Sequence, residues 1–359
     1  MADLIHIVEP TLENETGHCY SFIASLCAAS QTTSFCVWSA RGAVLDFPDF
    51  VDRRPYFFRR IRKIQLLFLY HSLLRQQGRI LVSTATRTDL LLLHFAAPGV
   101  IPAGKVFLYV HWFSSTVTKQ RQLEKIAAKQ PNLTIIAPTK SVVEQFLAAG
   151  FKQVQYVPYP VTQVQTRDFN GAEKQGFRHL LYAGAAREDK GFSLVIDLVE
   201  LLSTKRLRIP VVLQTSAQHY DKYDALTRTA LLRLEGMVYS YLQRITDTLH
   251  QAEYHALYGG AICLQLYSPQ AFADRVSGVT LDALSMGSPV VTLAGTWIAD
   301  IVSEFDAGIV LESAESALVL DAVVRIMADY TRYQEHALTA GRVLQQRNSA
   351  VLLLHELTA

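Results

Sequence analysis

Asp274–Pro289 reads DRVSGVTLDALSMGSP, with the carboxylates Asp274 and Asp282 eight positions apart around a Ser277-Gly278 step. A run of helical character follows. Gly287 and Pro289 end it, and the apolar strand Val290–Leu293 begins. Small residues let a backbone approach a ligand closely, and a helix start offers unpaired N–H groups and a positive dipole end to an anion. A carboxylate before the turn and another two turns deeper would each take a hydroxyl, while the amides of Ser277, Gly278 and Val279 hold a phosphate. The layout suits a ligand carrying both, as a nucleotide-sugar does. An ordinary capped helix after a short turn is the plain alternative.

Upstream, LLYAGAAREDKGFSLVIDLVELL carries an apolar strand into Gly184, then Arg187 and Lys190, then Gly191 and an amphipathic helix. Two cations at the end of a strand suit a diphosphate, and a solvated helix-entry loop is the alternative. Short apolar runs alternate with longer helical patterns along the whole chain, which indicates parallel sheets covered by helices. Strands are expected at Leu4–Val8, Ser34–Ser39, Ile80–Ser83, Val106–Val110, Thr134–Ala137 and Gln155–Val157, with helices at Tyr20–Ala29, Phe57–Gln76, Thr118–Lys129 and Ser141–Ala149. The polar, loosely patterned segment from Pro158 to Gly176 interrupts this alternation and reads as a linker.

In the first half, Gly17 and His18 precede a helix after the first strand, where glycine permits close backbone approach. No G-x-G-x-x-G can be written there. His111 ends the apolar strand KVFLYVHWF, a position that places its imidazole at the end of the sheet. A core histidine satisfied by a backbone carbonyl is the alternative.

These stretches resemble retaining glycosyltransferases of the GT-B fold, above all glycosyltransferase family 4. That family carries two glutamates with seven residues between and an A-M-A-x-G-x-P-V-V tail; here both are Asp and the tail is DALSMGSPVV. Its G-R-x-x-x-E-K-G segment matches Gly184 and Lys190, with Ala185 in place of the usual arginine and Arg187 two positions later. HQAEYHALYGGAICLQLYSPQAF resembles a further family segment, in which Tyr254, Leu257, Ala261 and Leu266 read as packing residues.

The resemblance implies two doubly wound Rossmann-like domains facing each other across a cleft. An acceptor-side domain at 1–161, a linker at 162–176, a donor domain at 177–342 and a helix at 343–359 returning to the first domain are expected. It further implies metal-independent, retaining hexosyl transfer from a nucleotide-sugar to a saccharide or lipid-linked saccharide, as in polysaccharide biosynthesis. Arg187 and Lys190 would hold the diphosphate, Asp274 and His111 the donor sugar, and Asp282 the ribose; Gly17 and Gly184 would line the donor site and His18 the acceptor side. No Asp-x-Asp metal motif is present and no cofactor is expected. A nucleotide-sugar 2-epimerase and a non-catalytic nucleotide-sugar-binding protein share the fold and stay open.

At 359 residues, half of them hydrophobic and 18% charged, the chain fills two ordinary domains and is not disordered. Residues 1–160 carry 17 Lys and Arg against 10 Asp and Glu, so this half is basic although the whole chain is only +2. Arg53, Arg54, Arg59, Arg60, Arg62 and Lys63 fall within eleven residues among Tyr56, Phe57, Phe58 and Ile61. Basic residues beside aromatics on a helix suit an anionic membrane face, with a solvated face or an acidic acceptor as the even alternative. No nucleic-acid module accompanies them. Cys19, Cys27, Cys36 and Cys263 form no C-x-x-C pair and read as buried thiols of a reducing compartment. MADLIHIVEP shows no signal-peptide pattern, and no apolar stretch reaches the ~20 residues of a membrane span. A cytoplasmic protein, at most peripheral to the membrane, is expected.

Overall fold

The structure is a computed structural model that describes residues 4–15, 18–161, 176–215, 223–247 and 249–359. The chain divides into two units, Met1–Gln163 with Arg347–Ala359, and Val164–Gln346. The expected linker at 162–176 lies, except for Gly176, outside the described residues.

The first unit holds β1 (Leu4–Val8), α1 (His18–Ala28), β2 (Ser34–Ala40), β3 (Val51–Phe57), α2 (Arg62–Leu73), β4 (Arg79–Val82), α3 (Arg87–Ala96), β5 (Val106–Tyr109), α4 (Val117–Lys129), β6 (Thr134–Ala137), α5 (Lys140–Ala148) and β7 (Gln153–Tyr156). The strands form one parallel sheet in the order β3-β2-β1-β4-β5-β6-β7. Ile7 pairs with Val37 on one side and Leu81 on the other, so β1 is central and its neighbours switch direction of progression there. Strands buried on both faces read as continuous apolar runs, as in VFLY of β5 and TIIA of β6.

The edge strand β3 corrects the expected helix over Phe57–Gln76, which begins only at Arg62. VDRRPYF has four consecutive exposed residues, a pattern that only an edge strand tolerates, and Pro55 removes no ladder bond the sheet needs at its edge. Arg53 and Arg54 therefore sit on a strand rather than on a helix. Arg54 pairs with Asp52 at 2.8 Å, and Arg53 Nη1 donates to Leu45 O at 2.9 Å.

The second unit restarts the pattern with β8 (His179–Tyr182), a 3₁₀ turn (Glu188–Lys190), α6 (Phe192–Thr204), β9 (Val211–Gln214), α7 (Ala225–Glu235), β10 (Leu242–Ile245), α8 (Gln251–Ala256), β11 (Ala261–Gln265), α9 (Pro269–Phe272), α10 (Gly278–Ser285), β12 (Val290–Leu293), α11 (Trp297–Phe305), β13 (Gly308–Leu311), α12 (Ser316–Ala328) and α13 (Tyr330–Arg347). Its parallel sheet runs β10-β9-β8-β11-β12-β13, with β8 at the switch point. Phe192, Val195, Ile196, Val199 and Leu202 of α6 are fully buried in the core with Leu180, Leu213 and Ile262 of the sheet. Each such side chain contributes about 1.5–3 kcal/mol by leaving water. The helix α13 lies so close to α10 at Gly341 that a Cβ would stand 2.6 Å from Leu284 O.

The final helix is split from α13 by Asn348 and Ser349: α14 spans Ala350–Thr358, with Ser349 accepting from Val351 N as its cap. It belongs to the first unit. Asn348 Nδ2 donates to Tyr159 O at 2.7 Å, and α14 packs against α1. No described helix is long and apolar enough to cross a membrane.

Candidate functional site

Open parallel sheets bind ligands beyond the carboxyl ends of their strands, where the order of progression reverses. In the second unit that point lies between β8 and β11, and the two motif loops meet there. Gly184 follows β8 with φ +101, a left-handed conformation that a side chain would strain, and its N–H donates to Gln214 Oε1 at 2.6 Å. A Cβ on Gly184 would lie 3.3 Å from Lys190 Nζ and 3.9 Å from Val279 Cγ2. The glycine thus leaves the space in which the lysine head and the first turn of α10 come together.

The loop between Gly184 and Lys190 is stapled from below by Tyr182, a fully buried residue of β8. Its hydroxyl donates to Ala185 O at 3.2 Å and accepts from Arg187 N at 3.4 Å. Ser268 N donates to Asp189 O at 3.0 Å, tying this loop to the segment after β11. The Arg187 guanidinium pairs with Asp189, and Arg275 Nη1 approaches the same Asp189 Oδ2 to 3.9 Å. Lys190 Nζ stands 5.6 Å from the Tyr267 ring centroid. Burial pushes the Lys190 ammonium down to about 8, and Arg187 and Arg275 push in the same direction against Asp189. An anion placed beside this ammonium would oppose the shift.

Ser277 is the N-cap of α10: its side chain accepts from Thr280 N at 3.3 Å. Leu281 N bonds Ser277 O, whereas the first-turn amides of Gly278 and Val279 have no carbonyl within the helix to bond. The first turn is fixed by Thr280, whose buried hydroxyl donates to Gln265 Oε1 at 2.5 Å. Gly278 is exposed, with nothing within 4 Å of where its Cβ would be. Asp274 is exposed and pairs with no described residue. Asp282 faces the opposite environment. Burial pushes its carboxyl up to about 7, opposed by a hydrogen bond from the Tyr254 hydroxyl, which itself receives one from Tyr258. Tyr254 is therefore more than the packing residue its helical spacing indicates.

In the first unit, the carboxyl ends of β1, β4 and β5 bring Glu9, Ser83 and His111 together. The ring of His111 bonds Ser83 O through Nε2 at 2.7 Å and lies 5.0 Å from the Tyr109 ring and 5.3 Å from the Tyr159 ring. The carbonyl can only accept, so Nε2 carries a proton. Glu9 is 1% exposed and accepts from Ser83 Oγ at 2.9 Å and from Thr11. Cys19 is half-buried, and burial pushes its thiol up to about 12, away from the reactive thiolate form. Gly17 and the side chain of His18 lie outside the described residues.

The structure thus gathers Gly184, Arg187, Lys190, Ser277, Gly278, Val279 and Asp282 at one sheet end, and places His111 at the corresponding end of the other sheet. Sequence reading missed Arg275, Asp189, Tyr254 and Glu9. Glu9 carries the signal that singled out His111, a polar side chain closing an apolar strand. The other three acquire partners only through tertiary approach. Among the described residues, no three His, Cys, Asp or Glu side chains come together as a metal site would require.

Neither family models nor curated proteins match this sequence. Solved structures match over nearly the whole chain. HepE of Anabaena, in complex with UDP and glucose, gives a TM-score of 0.66 at 13% identity, covering 99% of this chain and 98% of that one. The sucrose-phosphate synthase of Thermosynechococcus elongatus gives 0.65 at 14%, covering 99% and 96%. WaaG, a glycosyltransferase involved in lipopolysaccharide biosynthesis, gives 0.65 at 13%, covering 98% of each. With two parallel sheets of seven and six strands flanked by helices, this chain has the two-domain α/β GT-B fold.

Proposed function

We propose that the protein transfers a hexosyl group from a nucleoside diphosphate sugar to a hydroxyl of a saccharide or lipid-linked saccharide, with retention at the anomeric carbon. The observation that carries this is the meeting of Lys190 with the first turn of α10 across the space left by Gly184. An ammonium, the Arg187 guanidinium and free helix amides there suit a diphosphate, and Asp282, one turn along α10, suits the ribose hydroxyls. Asp274, exposed just before the turn, takes hydroxyls of the donor sugar. His111 hydrogen-bonds a sugar hydroxyl. HepE, which shares the fold, is also solved with UDP-glucose, and a donor of that class is in keeping with this site.

In the reaction the acceptor oxygen forms its bond to C1 on the face from which the diphosphate departs. The C1–O bond breaks with its electron pair going to the diphosphate oxygen, and that oxygen takes the acceptor proton. Arg187 and Lys190 stabilise the charge growing on the leaving group. Retention is what the donor-loop resemblance to glycosyltransferase family 4 implies. Incubation with a panel of nucleotide-sugars, with and without saccharide acceptors, tests the whole reading. Nucleotide release that requires acceptor, with the donor's anomeric configuration kept in the product by proton NMR, is expected. An epimerised donor, or tight donor binding with no turnover, overturns it.

We assign the α2 face to an anionic bilayer surface, where a lipid-linked acceptor would be met. Phe58, Ile61, Ile64 and Phe68 are 45%, 47%, 59% and 64% exposed, and the last three recur at one-turn and two-turn helical spacing. Arg59, Arg60, Arg62 and Lys63 lie among them in sequence. Arg53 and Arg54, engaged on β3, drop out of this face. At ~1 kcal/mol per charge near such a surface, changing these four to Gln lowers partitioning onto phosphatidylserine vesicles roughly a thousandfold. Ile64→Ser with Phe68→Ser lowers it on neutral vesicles too. Equal co-sedimentation of wild type and both variants removes the membrane from the proposal.

A further inference from the structure

The cationic end of the β8–β11 site holds more charge than its motif residues supply. Arg275 follows Asp274 directly and precedes the Ser277-Gly278 step. Its guanidinium lies over the Phe272 ring, with Cζ 4.9 Å from the centroid, and Nη1 is 3.9 Å from the Asp189 oxygen that pairs with Arg187. Arg187 and Arg275 therefore share a single carboxylate, with the Lys190 ammonium close enough to feel all three, and all four groups are part-buried. One carboxylate neutralises one of the three cations. The excess is felt within the cluster: burial and Arg187 hold Arg275 below its ordinary pKa, as burial, Arg187 and Arg275 do for Lys190.

Resting on the donor reading above, we propose that Arg275 is a second guanidinium of the diphosphate site and takes the sugar-proximal phosphate, with Asp189 as its counterion in the unliganded protein. Its place in the chain argues for that phosphate. Arg275 stands between Asp274, assigned to the sugar, and the amides of Gly278 and Val279, assigned to the phosphates. A planar guanidinium held over an aromatic ring presents its fork in a fixed plane, the geometry that accepts two phosphate oxygens at once. When the diphosphate enters, Arg187 and Arg275 exchange one carboxylate for its several oxygens. When the C1–O bond breaks, the electron pair arrives on the phosphate that Arg275 holds.

Calorimetric titration separates this from a structural role. Wild type is first titrated with UDP, GDP, ADP, CDP and dTDP, then with the monophosphate of whichever base binds. Arg275→Ala and Arg275→Gln are expected to weaken the diphosphate about 10–100-fold, the value of a charge-assisted hydrogen bond, and the monophosphate less than about threefold. Arg275→Lys recovers part of the loss, since it keeps the charge without the fork. Equal affinity of wild type and variants for the diphosphate, while Lys190→Ala loses it, overturns the role of Arg275 and leaves the donor reading standing. A loss shared equally by mono- and diphosphate makes Arg275 a prop for Asp189 and overturns it as well. Wild type binding none of the five brings down the donor reading and this inference together.

Discussion

Lys190→Met is expected to make the protein more resistant to heat at pH 7 while lowering kcat/KM by about 10²–10³-fold, the usual cost of removing one preorganised electrostatic group. Both effects have the same cause. Burial and the two guanidinium groups bring the ammonium from its ordinary 10.5 to about 8. Between those values the folded chain binds fewer protons than the unfolded chain, so the contribution of Lys190 to stability rises with pH across that window. Below pH 8 both states are protonated, and the folded state carries the whole cost of a crowded, part-buried charge. Methionine keeps the bulk without the charge, and a gain of roughly 3–8 °C in Tm follows.

Asp282 has the opposite sign. Burial raises its carboxyl from 3.8 to about 7, so the folded chain binds more protons than the unfolded chain between those values. Stability from this group therefore falls as pH rises from about 4 to 7, and its cost is complete above 7. Between about pH 7 and 8 the unliganded protein holds both charges at a loss, which the proposed diphosphate and ribose would relieve. Melting curves from pH 5 to 10 and steady-state kinetics check the prediction: wild type should gain on Lys190→Met between pH 8 and 10. A lower Tm for the variant at pH 7, or turnover within threefold of wild type, refutes it.

The capped turn before α10 was legible because its signals are local. Ser277 caps α10 through a bond three residues long, and Gly184 and Gly191 mark backbone turns that any strand-to-helix connection of this kind needs. Sheet interiors were legible for the same reason, since β5 and β6 are short apolar runs bounded by polar residues. Two edge strands were not. In β3 the exposed residues answer to solvent rather than to a core, and β13 opens on Gly308 and ends half-buried, so it lacks the closed apolar run that marks β5 and β6. Side-chain chemistry divided in the same way. Lys190 follows from its place after Gly184, but Arg275 and Asp189 meet only because β8 and β11 are neighbours in the sheet. Tyr254 falls at a helical packing position, and only the folded chain brings its hydroxyl to Asp282.

Gly191→Ala and Gly278→Ala, both made within the loops assigned to the donor, are expected to fail in opposite ways. Gly191 has φ +70, and a Cβ there would lie 2.1 Å from Leu266 O and 2.7 Å from Leu266 C. Those are backbone atoms at the end of a buried strand, so no rotamer change makes room. The turn must move, and with it the Asp189 carbonyl that accepts from Ser268 N. A loss above about 4 kcal/mol follows, enough to unfold much of the second unit in urea titrations at low denaturant. Gly278 is the first residue of α10 and open, so alanine there is tolerated and gains at most about 0.5 kcal/mol, less than at an interior position. Its methyl group stands where the phosphate would meet the first-turn amides, so diphosphate affinity falls while Tm holds or rises. A glycine required by the chain and a glycine required by a ligand are thus told apart by one pair of melts and one titration. A Gly191→Ala protein of wild-type stability would refute the first assignment, and undiminished diphosphate binding by Gly278→Ala would refute the second.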